Sequence, residues 1–370
     1  MRVGVPKEIK VLENRVGLTP ASVHEFVAHG HEVLVEHDAG IGIGMGDDAY
    51  VAAGARIASA DAVFAGADMI VKVKEPQPVE CARLRAGQIL FTYLHLAPDP
   101  EQTRALIGSG AVCIAYETVT SATGGLPLLA PMTEVAGRMA VQAGAYFLEK
   151  PHGGKGILLG GVPGVAPGRV VILGGGVVGS HAAMIALGMG ADVTVLDRSP
   201  DAMRGLWRQF GAALKTEFSN RDALDRHVTR ADLVIGGVLV PGASAPKLVS
   251  ADMIRRMQPG SVVVDVAIDQ GGCFETSHAT THAEPTYVVD GVVHYCVANM
   301  PGGVPRTSTF ALNNATLPFG LAIADKGWRQ ALLDDVHLRA GLNVALGHVT
   351  CAPVAEVLGY RYFDAASLLV

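Results

Sequence analysis

The sequence predicts an α/β protein with two lobes, each built on a parallel sheet, and a cleft between the lobes. Three observations support this fold class. Short apolar strands alternate with helical patterns along the chain, which is typical of parallel sheets covered by helices. The length of 370 residues suits two domains. A long helical pattern at residues 309–325 follows the last strand of the second lobe, so we expect the chain to cross back to the first lobe at its C-terminus.

Strands of the first lobe are predicted where short apolar runs lie between turn residues. They fall at Arg2–Val5, 31–35, 68–73, 88–91 and Val112–Ala115. Helices are predicted between them. Thr19 is a suitable N-cap with Pro20 at the first helical position, and a second helical pattern covers residues 99–108.

Polar side chains gather where three of these strands end. Lys72 and Lys74 lie at the end of the third strand, His95 follows the fourth, and Glu117 follows the fifth. Ligands of open parallel sheets bind outside the carboxyl ends of the strands. We therefore expect these side chains to form one wall of the cleft.

The second lobe is organised around a glycine turn. A buried strand at residues 170–173 leads into Gly174, Gly176 and Gly179, which have the G-x-G-x-x-G spacing, and an apolar helix covers about residues 180–190. The first glycine permits a tight turn, the second lets a pyrophosphate approach the backbone, and the third lets helix and strand pack closely. The helix N-terminus offers N–H groups to the same anion. The pattern predicts a Rossmann-like lobe that binds a dinucleotide, and the alternation of strands and helices predicts a first lobe of the same kind.

An acidic residue follows the next strand at the position that favours one cofactor. Asp197 ends the strand 192–196, 18 residues past Gly179. A carboxylate there accepts hydrogen bonds from the adenine ribose hydroxyls. Its charge disfavours the 2′-phosphate of NADP, so NAD is the predicted cofactor, although Arg198 next to it could soften that preference. An ordinary βαβ unit without a ligand is the alternative.

The remaining elements set the domain boundaries. A connector helix is predicted at 132–149, and further strands at 232–236, 261–267 and 291–298. Asp269 follows the strand 261–267. The NAD-binding domain is therefore expected at residues 129–305, and the substrate domain at residues 1–128 plus 306–370.

Charge and hydropathy argue against other classes of protein. The net charge of −6, with no basic patch, predicts no nucleic-acid partner. Residues 170–191 contain no charged side chain, but six glycines and His181 interrupt them, so burial rather than a membrane span explains their apolarity. No apolar segment of signal-peptide length opens the chain, and its five cysteines are widely spaced. We therefore expect a cytoplasmic protein with no membrane partner.

Six motifs resemble, in order, those of the alanine dehydrogenase/transhydrogenase family. They are GVPKE with ENRV (4–8 and 13–16), VKVKEP (71–76), LFTYLHL (90–96), GVPG (161–164), DVAIDQGG (265–272) and VANMP (297–301). The resemblance runs from residue 1 to about 328 and is weak beyond that. It implies the conversion of L-alanine, NAD⁺ and water to pyruvate, ammonia and NADH by a homo-hexamer.

The resemblance and the chemistry of the side chains select the same four residues. Arg15 offers a planar fork to the substrate carboxylate, and Lys74 holds that carboxylate or polarises the carbonyl. His95 takes and returns protons, and Asp269 is a second acid–base candidate. Each has a structural alternative: Arg15 could be solvated, Lys74 could pair with Glu75, His95 could be structural, and Asp269 could cap a turn or bind the nicotinamide ribose.

The resemblance also implies cofactor contacts that backbone groups would make for the most part. Besides Gly174, Gly176, Gly179 and Asp197, they involve Thr133, Val177, Val178, Ser219, Val238, Leu239, Val266, Ala267, Ile268, Asp269, Val297, Ala298, Asn299 and Met300. Core packing is the alternative for the apolar members. A small apolar pocket for a methyl group is predicted from Tyr93, Leu129, Met132 and Met300.

The chain departs from the family pattern at four positions. Ala202 and His278 stand where some relatives carry basic residues near the adenosine. Ala322 and Lys326 stand where some relatives place a Glu and a His as magnesium ligands. Neither residue suits an oxygen-rich magnesium site, so no metal is expected.

Three other functions are compatible with much of this pattern. The NAD-binding subunit of a proton-translocating transhydrogenase shares the fold, but it carries an Arg-Ala-Gln-like loop where residues 130–134 read APMTE. A related dehydrogenase could act on another small 2-amino acid, such as glycine. A non-catalytic NAD-binding sensor would tolerate the loss of Arg15 and His95, and both are present.

Overall fold

The computed structural model of the protein describes residues 1–238 and 245–369. The chain forms two compact units. The first consists of Met1–Met132 and Val304–Val370, and the second of Thr133–Gly303.

The described helices and strands are numbered here in chain order. The first part of the chain contains β1 (Arg2–Val5), α1 (Pro20–Ala28), β2 (Glu32–Glu36), α2 (Asp47–Ala52), β3 (Arg56–Ala58), α3 (Ala60–Gly66), β4 (Met69–Val71), α4 (Pro78–Cys81), β5 (Ile89–Thr92), α5 (Pro100–Ser109), β6 (Val112–Ala115) and α6 (Ala130–Phe147). The middle contains β7 (Arg169–Leu173), α7 (Val177–Gly188), β8 (Asp192–Asp197), α8 (Pro200–Phe210), β9 (Lys215–Phe218), α9 (Arg221–Val228), β10 (Leu233–Gly236), α10 (Ala251–Arg256), β11 (Val262–Asp265), β12 (Thr286–Val289) and β13 (Val292–Tyr295). The last part contains α11 (Pro305–Lys326), α12 (Trp328–Asp334), α13 (Val336–Arg339), β14 (Leu342–Ala345), β15 (His348–Val349) and α14 (Ala352–Leu358).

The first unit is built on a sheet with the strand order β15-β14-β6-β5-β4-β1-β2-β3. Strands β1 to β6 are parallel, whereas β14 and β15 extend the β6 edge in antiparallel fashion. The C-terminal segment therefore completes the sheet that the N-terminal segment begins. The strand order reverses between β1 and β4, and this switch point is where ligands of open parallel sheets bind.

The second unit repeats the order of the six parallel strands. Its sheet has the order β12-β13-β11-β10-β7-β8-β9, in which only β12 is antiparallel among the described strands. The order again reverses beside its first strand, between β7 and β10. These two largely parallel sheets confirm the predicted α/β fold class.

The apolar run in β7 is explained by burial on both faces. Val170 and Ile172 pack in one core with Ala182 of α7, whereas Val171 and Leu173 pack in a second core on the opposite face. Alternate side chains of a strand point to opposite faces, so a strand in the middle of a covered sheet needs apolar residues throughout. Among the described helices, none is both long and apolar enough to cross a membrane.

Several element boundaries differ from the sequence expectations, and two of these differences have identifiable reasons. Helix α6 begins at Ala130, two residues before the predicted start, because Pro131 fits the first turn of a helix, where its missing N–H costs nothing. Strand β11 ends at Asp265 rather than at residue 267, because the Asp265 carboxylate accepts a hydrogen bond from the N–H of Ala267 and turns the chain into a 3₁₀ helix, Val266–Gln270.

Candidate active site

The first unit brings Arg15, Lys74 and His95 to one edge of its sheet. Arg15 lies in the loop after β1, Lys74 in the loop after β4 and His95 in the loop after β5, and these three strands are neighbours. Their carboxyl ends include the switch point of the sheet. Burial lowers the pKa of Lys74, and the positive charges of Arg15 and Lys10 lower it further, so these cations lie within electrostatic range of one another.

Arg15 is a buried cation that already holds a carboxylate. Its side chain is 2% exposed, and its Nε and Nη2 donate to the two Glu13 oxygens over 2.7 and 2.6 Å. Its Nη1 lies 3.1 Å from the Met132 sulfur. The alternative of a solvated arginine is therefore wrong. Glu13 occupies one of the two guanidinium edges that can form a two-point contact, the edge of Nε and Nη2, and the sequence did not reveal this partner although it lies only two positions away.

Lys72 does not belong to the wall of the site, which corrects the sequence expectation. It is fully buried, and its Nζ donates to Glu8 over 3.0 Å and to Glu80 over 2.8 Å. The other Glu8 oxygen accepts hydrogen bonds from the N–H groups of Val73 and Lys74, over 2.7 and 3.3 Å. This buried triad therefore fixes the backbone that carries Lys74.

Lys74 has an ammonium group that remains available to a ligand. Within residues 1–238 and 245–369, no carboxylate lies within ion-pair distance of its Nζ and no hydrogen bond to it is formed. No direct ion pair joins Lys74 to Glu75, although the negative charge of Glu75 still acts to raise the pKa of Lys74. Glu75 forms its ion pair with Lys10 instead.

His95 is held from both its backbone and its ring. Its φ of +49° lies in the left-handed region, which is unusual for a residue with a side chain. The Glu117 carboxylate accepts the His95 N–H over 2.7 Å and the Leu94 N–H over 3.1 Å. Glu117 therefore stabilises a strained turn rather than lining the site with its charge, which corrects a second sequence expectation.

The His95 ring lies between an aromatic ring and a carboxylate. The Tyr93 ring stacks on it with centroids 5.7 Å apart, and the Tyr93 hydroxyl donates to the Leu128 carbonyl over 2.5 Å. Glu75 Oε2 lies 3.8 Å from His95 Nδ1. Burial acts to raise the pKa of Glu75, but His95, Lys74 and Lys10 outweigh it and hold that pKa well below its ordinary value.

The four residues of the predicted methyl pocket are divided between the two units. Tyr93 and Met132 are buried in the first unit, beside Arg15 and His95, and Leu129 is half-buried there. Met300 packs in the hydrophobic core of the second unit, which is the alternative foreseen for an apolar member of the set.

In the second unit, each glycine of the turn after β7 has its own geometry. Gly174 has φ +96°, a left-handed conformation that glycine adopts without strain. A Cβ on Gly179 would lie 1.8 Å from the Gly174 carbonyl oxygen, so only glycine allows this packing. A Cβ on Gly176 would meet no protein atom within 4 Å. Gly176 precedes Val177 at the N-terminus of α7 without a side-chain cap, which leaves backbone N–H groups beside open space.

Asp197 fastens this turn to the end of β8. One carboxylate oxygen accepts the Gly175 N–H over 2.5 Å and the other accepts the Ser199 N–H over 2.6 Å. A carboxylate oxygen has more than one acceptor position, so both oxygens can still accept from ribose hydroxyls. The backbone N–H of Ser219 donates to the Asp197 carbonyl over 2.8 Å, which places Ser219 at the same edge.

Two further predicted contacts border the glycine turn. Gly137 of α6 packs against the Val178 carbonyl, and Thr133 lies one helical turn before it. Val238 follows β10 across the switch point, and a Cβ on Gly174 would lie 3.0 Å from its side chain. The predicted contact at Leu239 falls outside the described residues.

The remaining candidates follow β11 and β13. Ala267 and Ile268 are buried and Val266 is half-buried, whereas Asp269 is exposed, and no described residue bonds to its side chain. The residue that caps the turn is Asp265, so the capping alternative for Asp269 is wrong. After β13, Val297 and Met300 are buried and Ala298 is half-buried. Asn299 has φ +66°, and its carbonyl lies 3.0 Å from His282 Nε2.

One group of side chains in the described parts of the chain is close enough to share a metal ion. It consists of His37, Asp38 and Asp47. Its members already contact one another, since Asp47 accepts from the His37 ring and from the Asp38 N–H. Lys326 of α11, which stands where some relatives place a magnesium ligand, forms an ion pair with Asp334 over 2.6 Å.

These two constellations define a class of protein. One unit offers helix N–H groups beside an open glycine turn, which suits a pyrophosphate. The other offers two cations and an imidazole at a switch point, which suits a small carboxylate that exchanges protons. The class is a nucleotide-dependent enzyme that acts on a small carboxylic acid.

The comparisons with known proteins agree with this class. The model of the alanine dehydrogenase/PNT N-terminal domain matches residues 4–136, and that of the C-terminal domain matches residues 140–352. An alanine dehydrogenase of Halomonas elongata is 62% identical over 370 residues, which is 100% of both chains. A solved L-alanine dehydrogenase has a TM-score of 0.95 and 51% identity, covering 97% of this chain and 99% of that one. A transhydrogenase from Sinorhizobium meliloti has a TM-score of 0.82 and 26% identity, covering 95% of this chain and 99% of that one.

The chain therefore belongs to the alanine dehydrogenase/PNT family. It is an enzyme of the amino-acid dehydrogenase type, and its family implies a nicotinamide cofactor. The similarity continues to the C-terminus, beyond residue 328, where the sequence motifs alone gave only a weak resemblance.

Proposed function

We propose that the protein catalyses the reversible oxidative deamination of L-alanine to pyruvate and ammonia with NAD as cofactor. The observation that carries this proposal is the placement of Arg15, Lys74 and His95 in the loops after β1, β4 and β5, three neighbouring strands of the first sheet. The substrate needs cations for its carboxylate and a group that exchanges protons at the amine-bearing carbon. Full-length relatives named alanine dehydrogenase support alanine over other substrates.

Carboxylate binding is assigned to Lys74 and Arg15. The Lys74 ammonium forms no ion pair within the described residues, so a substrate carboxylate would be its counter-ion. Arg15 Nη1 faces the Met132 thioether, a weak acceptor that a carboxylate oxygen readily replaces. Glu13 keeps the guanidinium plane fixed while this exchange occurs. The buried Tyr93 and Met132 would then surround the methyl group of alanine.

Proton transfer is assigned to His95, with Asp269 as a second acid–base group. When water adds to the imine carbon, His95 takes a proton from that water, and it later returns a proton to the nitrogen of the carbinolamine. Asp269 is exposed and free of side-chain bonds to the described residues, so it is available for a similar exchange.

The residues of the second unit fit a dinucleotide. The N–H groups at the start of α7 would bind the pyrophosphate in the open space at Gly176. The Asp197 carboxylate would accept hydrogen bonds from the ribose hydroxyls. Bound NAD⁺ would accept the hydride that leaves the alanine Cα. The negative charge of Asp197 favours NAD over NADP. Cytoplasmic location stays a prediction from the N-terminal sequence and the cysteine pattern, and hexameric assembly stays a prediction from the resemblance.

The test is the appearance of NADH with L-alanine and NAD⁺, and its consumption with pyruvate and ammonia. A matched pair of variants locates the chemistry: His95→Asn, because Asn tolerates the left-handed backbone at this position, and His24→Ala, because His24 is exposed on α1. We expect His95→Asn to lower kcat at least about a hundredfold while NADH binding is retained, and His24→Ala to behave as the wild type.

The outcomes distinguish the candidate functions. NADH binding without alanine-dependent reduction would contradict the proposal and favour an NAD-binding subunit or sensor. If glyoxylate or another 2-oxo acid is turned over faster than pyruvate, each with ammonia and NADH, the substrate is the corresponding amino acid rather than alanine. A His95→Asn variant with nearly wild-type kcat would remove His95 from the mechanism.

A further inference from the structure

Glu75 has a buried carboxylate oxygen that no hydrogen bond satisfies. Glu75 Oε2 is buried and has no hydrogen-bond partner, although buried polar atoms in proteins are almost always bonded. The other oxygen of this carboxylate pairs with the Lys10 ammonium. The atom opposite Oε2 is Nδ1 of His95, at 3.8 Å, which is within ion-pair distance but beyond a hydrogen bond.

The surroundings fix the position of both members of this pair. Lys10 holds Glu75 through Oε1, so Oε2 remains directed towards the imidazole. Tyr93 stacks on the imidazole, and Glu117 fixes the backbone of His95. A shift of less than 1 Å is enough to convert the 3.8 Å separation into a hydrogen bond. Catalytic hydrogen bonds are commonly long without substrate and shorten when it binds.

We propose that Glu75 is the positioning residue for His95: its Oε2 accepts the Nδ1–H of the imidazole and thereby leaves Nε2 to exchange protons with the substrate. This inference rests on the proposed function. When Nε2 takes a proton from water, the oxygen of that water bonds to the imine carbon and an imidazolium forms. Glu75 stays ionised opposite that imidazolium, changes none of its own bonds and stabilises the charge. Nε2 later gives its proton to the departing nitrogen.

A purely structural role for Glu75 is the competing explanation. In that case the carboxylate exists only to anchor Lys10, and its distance from His95 is incidental. The charged and titratable groups around the pair are Lys10, Lys74, Glu117 and the Tyr93 phenol. The two explanations differ in what happens to the ionisation of His95 when Glu75 or Lys10 is neutralised.

The experiment compares Glu75→Gln with Lys10→Met, using Glu25→Gln as the matched control on the exposed face of α1. The readout is the rate of carbethoxylation of His95 by diethyl pyrocarbonate as a function of pH, followed by mass spectrometry of the peptide. The reagent attacks the neutral imidazole, and the His95 side chain is 45% exposed. This readout needs no turnover, so it remains informative if the wild type fails to oxidise alanine, an outcome that would overturn only the proposed function.

We expect the two variants to move the pH midpoint in opposite directions. Glu75→Gln removes the anion that faces the imidazolium, so the midpoint falls. Lys10→Met removes a cation and leaves the carboxylate in place, so the midpoint rises. Equal midpoints in all four proteins, or shifts in the same direction for Glu75→Gln and Lys10→Met, would overturn the proposal.

Kinetics supply a second test. Glu75→Gln should lower kcat about ten- to a hundredfold with little change in the KM for NAD⁺, and Glu25→Gln should leave both unchanged. In a His95→Asn background, Glu75→Gln should cost nothing further, because a residue that acts through His95 has no effect once His95 is absent. Additive losses in the double variant would show that Glu75 acts elsewhere. The Lys10 side chain is 39% exposed, so the protein should tolerate Lys10→Met. This variant therefore tests the pair even if Glu75→Gln is poorly folded.

Discussion

Gly176 offers the sharpest test of the dinucleotide site, because the protein itself has room for a side chain there. A Cβ at this position would meet nothing within 4 Å, and the residue has φ −74°, which alanine also adopts. Alanine is a poorer N-cap than glycine, at a cost of at most about 1 kcal/mol. A methyl group in the space reserved for the pyrophosphate would cost about 1–3 kcal/mol of overpacking. At a factor of ten for every 1.4 kcal/mol, Gly176→Ala should weaken NADH binding about 5- to 150-fold.

The assay measures NADH binding by fluorescence titration and stability by thermal unfolding on the same samples. Gly188→Ala is the matched control, because Gly188 ends the same helix and its Cβ would also meet nothing within 4 Å. The control should bind NADH normally and gain up to about 1 kcal/mol of stability from its higher helix propensity. A Gly176→Ala protein that is stable and binds NADH as tightly as the wild type would refute the reasoning.

Three further predictions concern stability and cofactor choice. Lys72→Met leaves the buried Glu8 and Glu80 carboxylates without their cation, so urea unfolding should show a loss of about 3–5 kcal/mol; a loss below about 1 kcal/mol would contradict the buried triad. Asp197→Asn removes the charge that is proposed to face the adenine ribose and should raise the ratio of kcat/KM for NADP⁺ to that for NAD⁺ at least about fivefold, whereas an unchanged ratio would exclude a role for that charge. The pKa of Glu75 is held below its ordinary 4.5, so its pairing stabilises the folded protein above that pH and is lost as the pH falls towards the folded value. Stability should therefore fall less steeply below pH 4.5 in Glu75→Gln than in the wild type, and parallel curves from unfolding at a series of pH values would be evidence against this pairing.

The features that could be read from the sequence depend on residues close together in the chain. The glycine turn is one example: Gly174, Gly176 and Gly179 lie within six positions, so their spacing alone predicts a turn followed by a helix. The alternation of strands and helices likewise predicts parallel sheets. It does not predict the order of the strands, and the reversal between β1 and β4 became visible only in the structure.

The features that could not be predicted depend on partners far apart in the chain. Lys72 and Lys74 look alike in the motif, and the difference between them arises because Lys72 meets Glu8, 64 positions away. Glu117 follows a strand like a ligand-binding residue, yet its carboxylate binds the backbone of His95, 22 positions away. The sequence offers only a weak indication of these partners: a charged residue inside an apolar motif needs a partner when it is buried.

The six parallel strands of each sheet have the same order, and this repetition shows how little of a binding preference resides in the scaffold. At the first reversal the chain places the buried guanidinium of Arg15, in the loop after β1. At the second it places bare peptide N–H groups beside glycine. The first suits a compact organic anion and the second an extended diphosphate. In the proposed function, a single architecture used twice receives two chemically unlike molecules, and the loops after the strands, rather than the strands themselves, carry the difference between the two halves.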